Sequence, residues 1–126
     1  MIDGKINQFS IKASSPSQRV SELSGGNQQK ILLSKALATK PRVLIIDEPT
    51  RGVDIGAKAM IHQILRELAE SGIAILMISS ELPEILKLSD RVVVMHEGEL
   101  MGTVKNDHLE EKDVMAIAFS KEVAHG

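Results

Sequence analysis

Apolar positions recur along this chain with two periods. From about Asn27 to Lys40, Leu33, Ala36 and Leu37 stand at helical spacing, and Lys40-Pro41 stops the pattern. Val43-Leu44-Ile45-Ile46 follows without alternation, which predicts a parallel strand buried on both faces. Asp47-Glu48-Pro49-Thr50 ends it. Ile61, Ile64, Leu65 and Leu68 form the stripe of a helix lying on a sheet, over about residues 56–70, with Ser71-Gly72 as its stop. Residues 74–78 read as a second buried strand. A short helix follows, with Pro83 in its first turn and Leu82, Ile85 and Leu86 facing inward. Val92-Val93-Val94-Met95 is a third strand. Glu97-Gly98 turns the chain, and residues 99–104 return antiparallel as an edge hairpin. Asp107 is expected to cap a last helix containing Val114, Ile117 and Ala118.

The first 22 residues carry the least pattern, and Ser14-Ser15-Pro16-Ser17 reads as a loop. Beyond them strand and helix alternate, which predicts an α/β fold with a mostly parallel sheet flanked by helices. Ligands of such sheets bind beyond the carboxyl ends of the strands. The polar clusters at 47–54 and 79–81 both occupy such ends.

Composition narrows the chemistry. The 126 residues are 43% hydrophobic and 25% charged, with 15 basic and 17 acidic side chains for a net charge of −2. No basic excess points to nucleic acid, and the two phenylalanines are too few for a base-stacking platform. The absence of cysteine excludes disulfides, thiolate metal sites and thiol catalysis. The longest apolar run, residues 73–78, is too short to span a bilayer, and no signal peptide is visible. His62, His96, His108 and His125 are scattered without an i, i+4 pair and read as ordinary surface histidines rather than metal ligands.

Four constellations carry possible chemistry. In Leu23-Ser24-Gly25-Gly26-Asn27-Gln28-Gln29-Lys30, two glycines open a helix, where free N–H groups and the positive dipole end favour an anion. The competing reading is a plain serine cap. In Asp47-Glu48, a carboxylate at a strand end suits Mg²⁺ beside phosphates. Adjacent residues there point opposite ways, so the two acids have separate jobs: Asp47 serves the metal through water and Glu48 reaches an attacking water. The competing reading is an acidic pair capping a turn. Arg51-Gly52-Val53-Asp54 reads locally as a loop with Asp54 as the next helix's N-cap. Ser79-Ser80-Glu81 reads locally as another helix cap.

In order and spacing, these segments resemble the catalytic half of an ATP-binding cassette, a partial P-loop NTPase fold. Ser24-Gly25-Gly26-Asn27 matches the Leu-Ser-Gly-Gly-Gln signature with Asn27 in the glutamine place. Leu44 to Thr50 matches Walker B with its following glutamate, and Gly52-Val53-Asp54 matches the D-loop. Asp-Glu-Pro-Thr-Arg-Gly-Val-Asp-Ile-Gly-Ala-Lys and Ile-Ser-Ser-Glu-Leu-Pro-Glu narrow the resemblance to the second, C-terminal cassette of bacterial monosaccharide importers of the ribose, galactose and xylose type. The resemblance implies that residues 1–22 are a remnant of the helical subdomain, 23–104 the catalytic-core half, and 105–126 a C-terminal helix.

The sequence departs from the general cassette pattern at two places. It contains no Gly-x-x-x-x-Gly-Lys-[Ser/Thr], the Walker A loop that cradles phosphates, so a fragment of a cassette is expected. Ser80 stands where the family's switch histidine falls. The resemblance implies head-to-tail pairing with the first cassette of the same polypeptide or with a homodimer partner, on permease subunits at the cytoplasmic face of the inner membrane, fed by a periplasmic sugar-binding protein. ATP and Mg²⁺ are the implied cofactors. Ser24, Gly25, Gly26, Asn27 and Gln28 would meet nucleotide held by the partner. Asp47, Glu48 and Ser80 would face the cassette's own nucleotide, and Asp54 would couple the two. The expected activity is that of a sugar-transporting ATPase in the full polypeptide, with this chain alone inactive. Two alternatives stand beside it: a non-catalytic structural or regulatory domain, and a cassette ATPase outside transport.

Overall fold

The computed structural model describes residues 25–120, with Gly25 and Gly26 as backbone only. Residues 1–24 and 121–126, and with them Ser24 and His125, lie outside the described residues. The chain divides into two compact units, Met1–Ile78 and Ser79–Gly126.

In the first unit, helix α1 (Gly25–Leu37) leads to strand β1 (Val43–Asp47), helix α2 (Ile55–Glu70) and strand β2 (Ala74–Ile78). The helix α1 ends three residues before the expected stop. Lys40 takes a left-handed backbone with φ 50° ahead of Pro41, and the Thr39 hydroxyl donates to the Ala36 carbonyl at 2.7 Å. These groups satisfy terminal carbonyls that continued helix would otherwise use. The strands pair in parallel, from Val43 opposite Ala74 to Asp47 opposite Ile78.

The expectation of burial on both faces is corrected. Leu44 is buried and Ile46, Ile75 and Met77 are half-buried, whereas Val43, Ile45, Leu76 and Ile78 are exposed. In this parallel register, alternate residues of both strands share a face, and no element among the described residues covers the second one. Leu33, Leu44, Ile61 and Leu65 are the buried apolar residues of this unit. At roughly 25 cal/mol per Å², their burial is the main favourable term holding the unit together.

In the second unit, helix α3 (Leu82–Leu88) precedes the antiparallel pair β3 (Arg91–His96) and β4 (Glu99–Lys105), and helix α4 (Glu111–Ala118) closes the described chain. Glu97 and Gly98 both have positive φ, 51° and 82°, as a two-residue hairpin loop that follows the strands' twist requires. The register slips between Val94 and Met95. Val92, Val94, Met101 and Val114 form the core, with Leu82, Ile85, Leu86, Ile117 and Ala118 packed against it.

The last helix starts later than Asp107. Glu110 is the N-cap, with a reciprocal box in which the Glu110 amide donates to the Asp113 carboxylate at 2.9 Å. The Asp107 amide instead donates to the Lys105 carbonyl. Among the described residues, no helix is long and apolar enough to cross a membrane.

Candidate functional site

The signature segment is built on α1. Gly25 and Gly26 are its first two residues, as the sequence predicts. Asn27 is buried and Gln28 half-buried. Lys30, three residues further, is only 3% exposed, and its Nζ donates to the Met60 sulfur of α2 at 3.5 Å. With Ser34, also buried, Asn27 and Lys30 make a polar stripe along the buried side of α1. Sequence reasoning did not single out Lys30 as a site residue. Its one signal is helical spacing with Asn27 and Ser34, a pattern that ordinarily marks a solvent-facing stripe.

The acidic pair sits where β1 ends. Asp47 is the last residue of the strand and is exposed. Glu48 has left the strand and is half-buried, with a left-handed φ of 50°. Its amide donates to the Ile78 carbonyl at the end of β2 at 2.8 Å. Its own carbonyl accepts from the Arg51 amide at 3.2 Å, and the Thr50 carbonyl accepts from Val53 at 3.3 Å. Pro49 and Thr50 between them are buried. The segment is therefore two successive turns pinned at their middle, not loose chain. Gly52, at φ 73°, completes them. A Cβ there would meet nothing within 4 Å, so glycine serves the backbone angle and not a space requirement.

Asp54 follows as the N-cap of α2, with an extended backbone and Oδ1 accepting from the Ala57 amide at 2.8 Å. The local capping reading of this residue holds. Beside it Ile55 is 89% exposed.

Ser80 belongs to the second unit and is exposed. The reading of Ser79-Ser80-Glu81 as a helix cap holds in position and is corrected in its chemistry, since neither serine is the cap. The N-cap of α3 is Glu81, which makes no side-chain cap bond. The Ser79 hydroxyl accepts from the Glu81 amide at 3.0 Å, a turn completed before the helix begins. The structure thus gathers Asp47, Glu48 and Asp54 on one segment of the first unit and places Ser80 in the second.

The surface reading of the histidines is revised at His62. His62 is a buried residue of α2, 5% exposed, not a surface one. His96 stands edge-on to Phe119 with ring centroids 5.3 Å apart. His108 is exposed, 3.8 Å from Asp107.

No group of three or more potential ligand side chains that could hold a metal occurs among the described residues. A Mg²⁺ ion does not require such a cage. It retains waters and commonly takes one or two carboxylates together with substrate phosphates. The exposed carboxylate of Asp47 fits that demand through water.

The acidic end of β1, the capped Asp54 and the two glycines that open α1 all stand in the first unit. The ABC transporter family matches residues 2–51 of this chain. The chain is 56% identical over 113 residues to the ribose import ATP-binding protein RbsA of Geobacillus kaustophilus, covering 90% of this chain and 23% of that protein. It is 52% identical over 117 residues to the xylose import ATP-binding protein XylG of Escherichia coli K12, covering 93% of this chain and 23% of that protein. The chain therefore spans about a quarter of the length of these relatives. The dimeric structure of a bacterial ABC transporter cassette superposes with a TM-score of 0.72 at 22% identity, over 84% of this chain and 46% of that cassette. At that identity the superposition speaks for the fold alone, an ABC ATPase cassette fold in part.

Proposed function

We propose that this chain acts as part of the ATP-binding subunit of a bacterial monosaccharide importer, coupling ATP binding and hydrolysis to sugar uptake. The observation that carries the reading is Asp47-Glu48 at the carboxyl end of β1, within a sequence more than half identical to ribose and xylose import ATP-binding proteins. Residues 23–104 are then the catalytic-core half, with a remnant of the helical subdomain before them and a terminal helix after.

The roles divide between two nucleotide sites. Ser24, Gly25 and Gly26, with Asn27 and Gln28, approach the γ-phosphate held by the partner cassette, because amides at a helix N-terminus are free to donate. Asp47 faces this cassette's own nucleotide and would be the residue that holds Mg²⁺. The metal would neutralise charge on the phosphates. Glu48 orients the attacking water, and Asp54 couples the two sites. Ser80 lacks the imidazole that a switch histidine brings, so hydrolysis at the cassette's own site is weak and the signature serves the competent site opposite. ATP-driven closure moves the permease and hydrolysis releases it. The subunit lies peripherally on the cytoplasmic face of the inner membrane, against permease subunits served by a periplasmic binding protein.

Ser80 favours a second reading as well, in which this cassette is regulatory and only its signature matters. One comparison separates the two. In the complete importer polypeptide, Glu48→Gln is expected to cost less sugar-stimulated ATPase than the equivalent change in the first cassette. A group that positions water is worth roughly 10² to 10⁴ in rate where chemistry occurs. Loss of transport with Glu48→Gln but not with the first-cassette change would reverse the roles. No effect at all from Glu48→Gln would favour the purely regulatory reading.

A further inference from the structure

Glu48 has a backbone that its type and its neighbour both disfavour. It is not glycine, yet its φ is 50°. A residue with a Cβ in the left-handed region loses roughly five- to thirty-fold in folding equilibrium. Pro49 follows it, and a proline biases the preceding residue toward extended backbone. Such a conformation persists only where its surroundings over-determine it, and here they are visible. The Glu48 amide donates to the Ile78 carbonyl at 2.8 Å, and the Glu48 carbonyl accepts from Arg51 at 3.2 Å. Pro49 and Thr50 are anchored in the interior immediately after.

We propose that the main-chain carbonyl of Ile78 holds Glu48 in this conformation, setting the direction in which its carboxylate leaves the chain, and that glutamate is kept there at a cost in stability. The functional half of this inference rests on reading Glu48 as the residue that meets the attacking water. The carbonyl belongs to the peptide joining Ile78 to Ser79. The group that holds Glu48 is thus part of the link between β2 and Ser80, the position of the family's switch residue. A shift in that peptide is a shift in the support of Glu48.

The test compares Glu48→Gly, Glu48→Asn, Glu48→Ala and Glu48→Gln in this chain by urea and thermal unfolding. Glycine and asparagine tolerate left-handed backbone, so their folding equilibrium constants should exceed that of the alanine variant by about three- to ten-fold, with glutamine equal to the unaltered chain. At an ordinary backbone position glycine falls below alanine, because the unfolded chain gains freedom. That order, or no difference, would overturn the proposal. Amide hydrogen exchange supplies a second measurement. The Glu48 amide should be protected and should remain so in Ile78→Ala, because the bond uses main chain only. Exchange at the rate of an open amide would contradict it. In the complete importer polypeptide, the stabilised glycine and asparagine variants should hydrolyse ATP more slowly, so that stability and activity move in opposite directions. A glycine variant with full turnover would remove the positioning role. The unfolding order reads the backbone whether or not nucleotide binds, so its failure is distinct from a failure of the ATPase reading.

Discussion

Asp54 Oδ1 accepts the amide of Ala57 at 2.8 Å, closing the first turn of α2. The same aspartate is the D-loop residue proposed to couple two nucleotide sites. Its substitutions can separate the roles. Asp54→Ala should destabilise the chain by about 1 kcal/mol, the usual worth of an N-cap, and Asp54→Asn should stay within a few tenths of the unaltered chain. In the complete polypeptide Asp54→Asn should nonetheless lower ATPase, because the negative charge is gone while the cap remains. Urea unfolding and ATPase assays on both variants check this. Normal turnover in Asp54→Asn would reduce the residue to a cap.

Asn106 is the corresponding anchor of the second unit. Its side-chain amide donates to the carbonyls of Leu86 at 2.8 Å and Ser89 at 2.7 Å, tying the loop after β4 to the end of α3. These are terminal helix carbonyls, which need partners. Asn106→Ala should cost about 1–3 kcal/mol, because it leaves two acceptors unsatisfied in a partly buried place. Chemical denaturation would measure the loss. A change below a few tenths of a kcal/mol would show that water replaces the amide without penalty.

Much of the fold was readable where one signal dominated. The apolar runs at 43–46 and 74–78 became the parallel pair, and Glu97-Gly98 became a hairpin loop with two positive φ angles. Asp54 behaved as local capping chemistry demands. The start of α4 was misplaced because Asp107 is a good cap by type. The box at Glu110 and Asp113 uses two acids in an order the serine or threonine template does not flag. The exposed face of β1 and β2 was missed for another reason. An apolar run shows that a strand can be buried, not which layer covers it. The burial of His62, and of Lys30 against Met60, was invisible because a polar residue within an amphipathic pattern reads as surface until its neighbours in space are known. The candidate site residues were read from motif order and not from local geometry. The left-handed backbone at Glu48 has no sequence signature, because glutamate followed by proline predicts the opposite.

The 126-residue chain should not hydrolyse ATP by itself. Its sequence contains no Walker A loop, and phosphate binding in a P-loop fold depends on the backbone amides and lysine of that loop. Steady-state phosphate release should equal the background without enzyme. Turnover above background that disappears in Glu48→Gln would mean that another part of the chain supplies the cradle.

If the start of α1 serves a phosphate on another cassette, Gly25→Asp should disable the importer. Gly25 is the first residue of α1. A side chain there obstructs close approach of a phosphate to the backbone. A carboxylate adds repulsion of about 1 kcal/mol at 4 Å in water, or about 4 at an effective dielectric near 20. Aspartate is acceptable in the first turn of a helix, so the fold should survive. The measurement is sugar-stimulated ATPase of the reconstituted complete importer, with thermal unfolding alongside. Activity should be lost almost completely with an unchanged melting temperature, although the nucleotide affected belongs to the partner cassette. Near-normal ATPase with the same melting temperature would contradict it and leave Ser24-Gly25-Gly26 as a helix start without a ligand.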